Sequence, residues 1–208
     1  MRKGPIVIGK TTFIFCLCLI LISIVSTGCG ASKQRNFADA DLLIDESAMP
    51  NDWSLAERSY NMTVKEGQES GAYITFYYTG TSLFVRGGED VYRYKNNKRA
   101  AWHYKRFETD HFNDASVYRT TPWQVPEGFH FSSSSSEQWR FACAGSNFTV
   151  GSITGNTSTV CIYLAQYDEF LVFFSITIER DGAIFISIEQ IISILDALDQ
   201  NMGQYLNP

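Results

Sequence analysis

The side chains in this chain that could do chemistry are few. There are five cysteines and three histidines. Cys16 and Cys18 lie in an apolar stretch near the start, and Cys29 closes the run Ser26-Thr27-Gly28-Cys29. That leaves Cys143 and Cys161 as a pair. Two thiols can form a disulfide, cycle redox electrons or hold a metal. Their spacing is unlike C-x-x-C and no His-rich segment lies nearby. In an exported chain an even pair defaults to a disulfide, with Cα atoms about 4.4–6.8 Å apart. His103 and His111 are separated by about 12 Å of rise if they share a helix, too far to chelate one ion unaided. His111 with Asp110 and Asp114 is the nearest approach to an acid–base or metal cluster, and its simplest reading is a solvated helix end. The chain lacks H-E-x-x-H, a calcium loop, G-x-S-x-G, G-x-G-x-x-G and a P-loop. Asp168-Glu169 reads as a solvated turn, and the serines at 132–136 as an exposed loop with no partner that would make one a nucleophile. We therefore expect no catalytic residue, no cofactor and no metal site.

The N-terminus carries a different chemistry. Arg2, Lys3 and Lys10 precede an apolar run from Phe13 to Val25, broken only by Ser23. The run is short of the roughly 20 residues that span a bilayer. With the small residues that follow, it has the layout of a secretory signal and its processing site. Ser26-Thr27-Gly28-Cys29 resembles the lipobox of bacterial lipoproteins, although Ser26 stands where that pattern has Leu, Val or Ile. The resemblance implies removal of residues 1–28, lipidation of Cys29, and a protein tethered to a membrane on the extracytoplasmic side of a cell envelope. Ordinary signal peptidase would also accept Ser26 and Gly28, which leaves simple secretion open. One acyl chain anchors marginally and two anchor stably.

Composition narrows the partners. Without Arg2, Lys3 and Lys10, the 17 Lys and Arg fall to 14 against 22 Asp and Glu, a formal net of −8. That balance excludes nucleic acid as an expected partner and argues against adhesion of the folded part to anionic lipid. Fifteen Phe, 11 Tyr and 4 Trp suit strands and a bulky core.

These groups must be positioned by a modest set of elements. Residues 29–40 read as the anchor cysteine and a tether, and 41–208 as a single domain. Leu42–Trp53 is expected to turn the chain in at Pro50-Asn51-Asp52. Strands are expected at 72–78, 83–86 and 89–94, with Gly87-Gly88 as a hairpin turn between the last two. Asn96 or Asn97 caps a helix over about 96–112, with Ala100, Tyr104, Phe107 and His111 on one face. Strands at 139–144 and 159–166 carry Cys143 and Cys161, with 145–158 as a long hairpin loop between them. A strongly apolar strand follows at 170–179, then a turn at Asp181-Gly182 and a strand at 183–186. Ser187-Ile188-Glu189-Gln190 matches a capping box opening a helix over about 188–205. Its stripe is Ile188, Ile191, Ile192, Leu195, Leu198 and Met202. The order implies an α+β domain with a mainly antiparallel sheet. It is similar to the sheet-plus-helices sandwich of the PsbP/Mog1-like group, in architecture alone.

The expected function is a membrane-tethered envelope lipoprotein with a non-enzymatic binding or accessory domain, for a protein partner or an apolar ligand. The alternatives are a carrier of an apolar ligand such as a lipid, marked by a deep apolar cavity, and a hydrolase, marked by a cleft converging on His111 or His130 with a nearby acid.

Overall fold

Alternation along one strand organises the molecule. In Phe170–Arg180, Phe170, Val172, Phe174 and Ile176 point to one face of the sheet, while Leu171 and Phe173 point to the other. Both faces are apolar, so both need covering. The computed structural model describes residues 34–206 apart from 61–66, 82–84, 114–118 and 151–152, and the backbone alone at 148–150 and 153–156. The export segment, Cys29, Asp114 and the first half of the strand expected at 83–86 lie outside the described residues.

The fold is α+β. Strands β1 (Trp53–Ser59), β2 (Gln68–Tyr78) and β3 (Arg86–Tyr94) precede helix α1 (Asn97–His111). Then come β4 (Gln138–Val150), β5 (Ile153–Tyr167), β6 (Phe170–Arg180), β7 (Ala183–Ile184) and helix α2 (Ile188–Leu206). The sheet runs β1-β2-β3-β6-β5-β4, with β7 paired to the end of β6, and every pairing is antiparallel. Lys33–Pro208 forms one compact unit.

Helix α2 covers the first face. Ile191, Ile194, Leu195, Leu198 and Met202 are buried against that side of the sheet, joined by Leu42 at the end of a short 3-10 turn (Asp39–Leu42) and by Leu43 and Ile44 just after it. The stripe differs from expectation by one position: Ile194 is buried and Ile192 only partly. The capping box forms, with Ser187 N–H donating to Gln190 Oε1 (2.9 Å) and Gln190 N–H to Ser187 Oγ (3.2 Å). Helix α1 covers part of the second face through Ala100 and Tyr104, and Asn96 Oδ1 caps it by accepting from Arg99 N–H (3.0 Å).

Several expectations are corrected. Gly87-Gly88 is not a turn but the interior of β3, paired with Phe76 and Thr75 on one side and Ile176 and Ser175 on the other. A Cβ at Gly88 would sit 2.9 Å from the Ile74 carbonyl oxygen, so glycine permits a close strand approach here. The supposed loop 145–158 is mostly strand, because β4 and β5 continue to Val150 and Ile153. A ladder satisfies backbone groups whatever the composition, and this outer arm needs no apolar side chains. β1 was missed because it is an edge strand in which only Trp53 is buried. The serine loop is docked rather than free. Asp199, buried on α2, accepts from Ser133 Oγ, from Ser134 N–H (2.8 Å) and Oγ (2.9 Å), and from Tyr167 OH (3.1 Å).

Cys143 and Cys161 are disulfide-bonded and directly opposite in the β4–β5 register. Their Cα atoms are 3.9 Å apart, closer than the expected window. The backbone N–H and C=O of Cys143 both bond outward to Gln124 (2.9 and 3.0 Å), so this is a non-hydrogen-bonded pair, the position where antiparallel strands approach most closely. Reduction is expected to cost about 3 kcal/mol of stability. Urea unfolding with and without dithiothreitol measures it, and an unchanged midpoint would show the bridge to be dispensable.

Candidate functional site

Where α1 ends, the second face of the sheet loses its apolar character. The positions that continue the face past Phe173 and Ile162 are Ser175 and Thr177 on β6, Val160 and Ser158 on β5, and Ala144 and Ser146 on β4. Small and hydroxylated side chains cannot fill the layer that Leu171 and Tyr104 fill, and a groove of about 400 Å³ results. That volume lies in the range of small-molecule sites.

One wall of the groove is an irregular segment laid along the outer edge of β4. Arg119 bridges to Ser146, Thr120 N–H donates to Gly145 O (2.9 Å), and Gln124 pairs with Cys143. The approach is close enough that a Cβ at Gly145 would lie 2.4 Å from Thr120 Oγ1, so glycine at 145 sets the wall's position. The segment also covers an otherwise open sheet edge. It presents Trp123, whose ring packs 5.1 Å from Phe112 and lies 4.0 Å beneath the Arg119 guanidinium.

Three arginines from three elements line the groove: Arg86 at the start of β3, Arg119 on the wall and Arg180 at the end of β6. The Arg180 side chain is only 12% exposed and lies 3.7 Å from Asp181. Arg86 acts on Asp90, two positions beyond Gly88; burial raises the Asp90 carboxyl to about 6, against the pull of Arg86. Asp110 and His111 close the groove at the end of α1. The His111 ring lies 4.6 Å from Phe173 and 5.4 Å from Phe107, and burial pushes its pKa down against the opposing pull of Asp110.

The arrangement is suited to holding an anion. Guanidinium groups present forked donors to carboxylate or phosphate, serine and threonine hydroxyls add donors, and Trp123, Val160 and Ile162 offer apolar surface. His111 and Asp110 do meet in a cleft. Among the described residues, however, His111 is held by ring contacts and has no hydrogen bond to a groove serine, the contact that activates a nucleophile. Charged walls also distinguish the groove from the apolar cavity expected of an acyl-chain carrier. Among the described residues no group of three or more His, Cys, Asp or Glu could hold a metal ion.

Of the residues singled out in the sequence and described in the structure, only His111 and Asp110 reach the groove. His103 is buried and stacked on Tyr94 at 4.3 Å, and His130 is exposed away from the groove lining. The Asp168-Glu169 turn is not simply solvated. Glu169 is buried and held by Arg35, with Nε to Oε1 at 2.8 Å and Nη2 to Oε2 at 2.6 Å, while Arg35 Nη2 also reaches Asp168 Oδ2 at 2.8 Å. The three groove arginines were missed. Their positions share no local spacing, and only the sheet register brings them together.

No protein-family model, curated protein or solved structure matches this chain.

Proposed function

We propose that the mature chain is a lipid-anchored, non-enzymatic envelope protein that binds a small anion with an apolar part, of the carboxylate or phosphate-ester class. The carrying observation is the convergence of Arg86, Arg119 and Arg180 on one groove in a chain whose mature part has a formal net charge of −8. Arg180 also reaches Asp181 and Arg86 acts on Asp90, yet all three line one hydroxyl-rich groove, where forked donors from three elements would meet a bound anion. The signal layout supports export, and Cys29 supports retention at the membrane on the extracytoplasmic side.

Phenyl phosphate is a suitable probe, with inorganic phosphate and benzyl alcohol as controls. Calorimetric titration is expected to show saturable binding of phenyl phosphate, weaker binding of phosphate and none of the alcohol. Arg86→Gln, at an exposed position, and Arg180→Gln should each weaken binding by roughly 10-fold or more, the worth of a hydrogen bond to a charged group. Equal heats for both variants and the wild type would remove the groove from the reading. The anchor is tested separately, by labelling cells with a palmitate analogue: wild type should incorporate it and Cys29→Ser should not.

A further inference from the structure

The net acidity that argues against adhesion to anionic lipid is unevenly spread, and among the described residues helix α1 gathers basic side chains on one face. Five of the chain's 17 Lys and Arg fall between 95 and 106: Lys95, Lys98, Arg99, Lys105 and Arg106. All five are exposed, and Lys98, Arg99, Lys105 and Arg106 stand on the outward side of α1. At their centre Trp102 is 54% exposed, with the Arg106 guanidinium 5.9 Å from its ring. Acids stand nearby as well: Glu69, Asp110 at 3.9 Å from Arg106, Glu108 on the same helix in an ion pair with Arg140, and Glu137 accepting from Asn97 at the helix start. Nothing in the two apolar cores uses this face. α1 packs inward through Ala100, His103 and Tyr104.

The position of this face relative to the chain's N-terminal side is informative. Arg35 is bound to Asp168 and Glu169 at the β5–β6 turn. The Glu169 carbonyl accepts from Tyr94 N–H (2.9 Å). Gln166 Nε2 bridges the Asp168 carbonyl (3.1 Å) and the Asn97 carbonyl at the first residue of α1 (3.2 Å). The chain therefore enters the domain beside the N-terminus of α1, where the basic residues begin. From Cys29 to Arg35 is six residues, a reach of at most ~20 Å.

We propose that the Lys95–Arg106 face of α1 docks on an anionic lipid surface, with Trp102 seated among the headgroups, and so fixes the orientation of the tethered domain. This rests on lipidation at Cys29, which would hold the face at high effective concentration over the bilayer. Basic residues near an anionic surface each contribute about 5-fold to the bound population, and the attraction fades within a Debye length of ~8 Å at physiological salt. An exposed tryptophan among basic groups suits the headgroup layer, where one side of the ring is apolar and the other wet.

The test uses the processed full-length protein reconstituted through its anchor into vesicles of phosphatidylcholine, with or without phosphatidylglycerol, each carrying lipids brominated near the headgroup. Tryptophan emission is expected to be quenched in the anionic vesicles, at least 5-fold less in the neutral ones, and released in 1 M salt. The quenched component should vanish in Trp102→Phe and fall in Lys95→Glu and Arg99→Glu, all exposed positions. Quenching that is equal in both vesicle types, or that survives Trp102→Phe, overturns the proposal. Protein retained on neutral vesicles with no Trp102 quenching in anionic ones removes the docking face and leaves the anchor standing. Protein absent from neutral vesicles removes the anchor and this inference with it.

Discussion

Between about pH 6.5 and pH 8 the folded protein is expected to lose stability at up to about 1.4 kcal/mol per pH unit, through one side chain, Glu89. Glu89 lies inside β3, 1% exposed, on the face covered by α2. One carboxyl oxygen accepts from Ile44 N–H at 2.7 Å, and the other has no hydrogen-bond partner among the described residues. Burial raises its pKa to about 8, more than the Ile44 hydrogen bond and the charge of Arg58 lower it. The native state therefore keeps a proton that the unfolded chain releases near pH 4.5. Where the native state binds more protons, stability falls as pH rises, and the fall ends above the folded pKa. Asp90, raised to about 6, adds a loss of the same sign below that value, and His111, pushed below 6.5, opposes it there, so the upper part of the window belongs to Glu89. Glu89→Gln should flatten the curve from pH 6.5 to 8 and exceed wild type in stability at pH 8. Urea midpoints at pH 5, 6.5 and 8 measure this. Parallel curves for the two proteins would mean that Glu89 is ionised in the fold.

Leu195→Ala is expected to cost about 2–5 kcal/mol. Leu195 is fully buried at the middle of α2, between Ile191 and Leu198, against the face of β6 that carries Val172 and Phe174. The flanking side chains belong to a helix and a sheet, which cannot collapse into the space of the lost atoms. A penalty of this size is a large fraction of the stability of a domain of this length. Thermal melting should fall by several degrees at least, while Ile192→Ala, one turn away and partly exposed, should change it much less. Equal shifts for the two variants would contradict the observed facing of the helix.

Local periodicity and capping chemistry determine α1 and α2: the Asn96 cap, the Ser187–Gln190 box and the apolar stripe of α2 are all set within a few residues of each other. The run Phe170–Arg180 is apolar enough to be a central strand in any arrangement, and two remaining cysteines leave one pairing. The sequence by itself thus determined the class of the fold, its bridge and the expectation of export. Polar edges hid from the same reasoning. β1 and the outer arms of β4 and β5 are strands because neighbouring backbones are there to pair with, and their side chains carry no trace of it. The burial of Glu89, Asp199 and Glu169 was equally hidden, since each depends on a partner or a void supplied by a distant segment. The groove is the extreme case. Arg86, Arg119 and Arg180 become one site only because β3 pairs with β6 and the 119–124 segment lies along β4. Long-range register places charges, whereas local propensity places only elements, so tertiary structure alone decided where this protein can hold an anion.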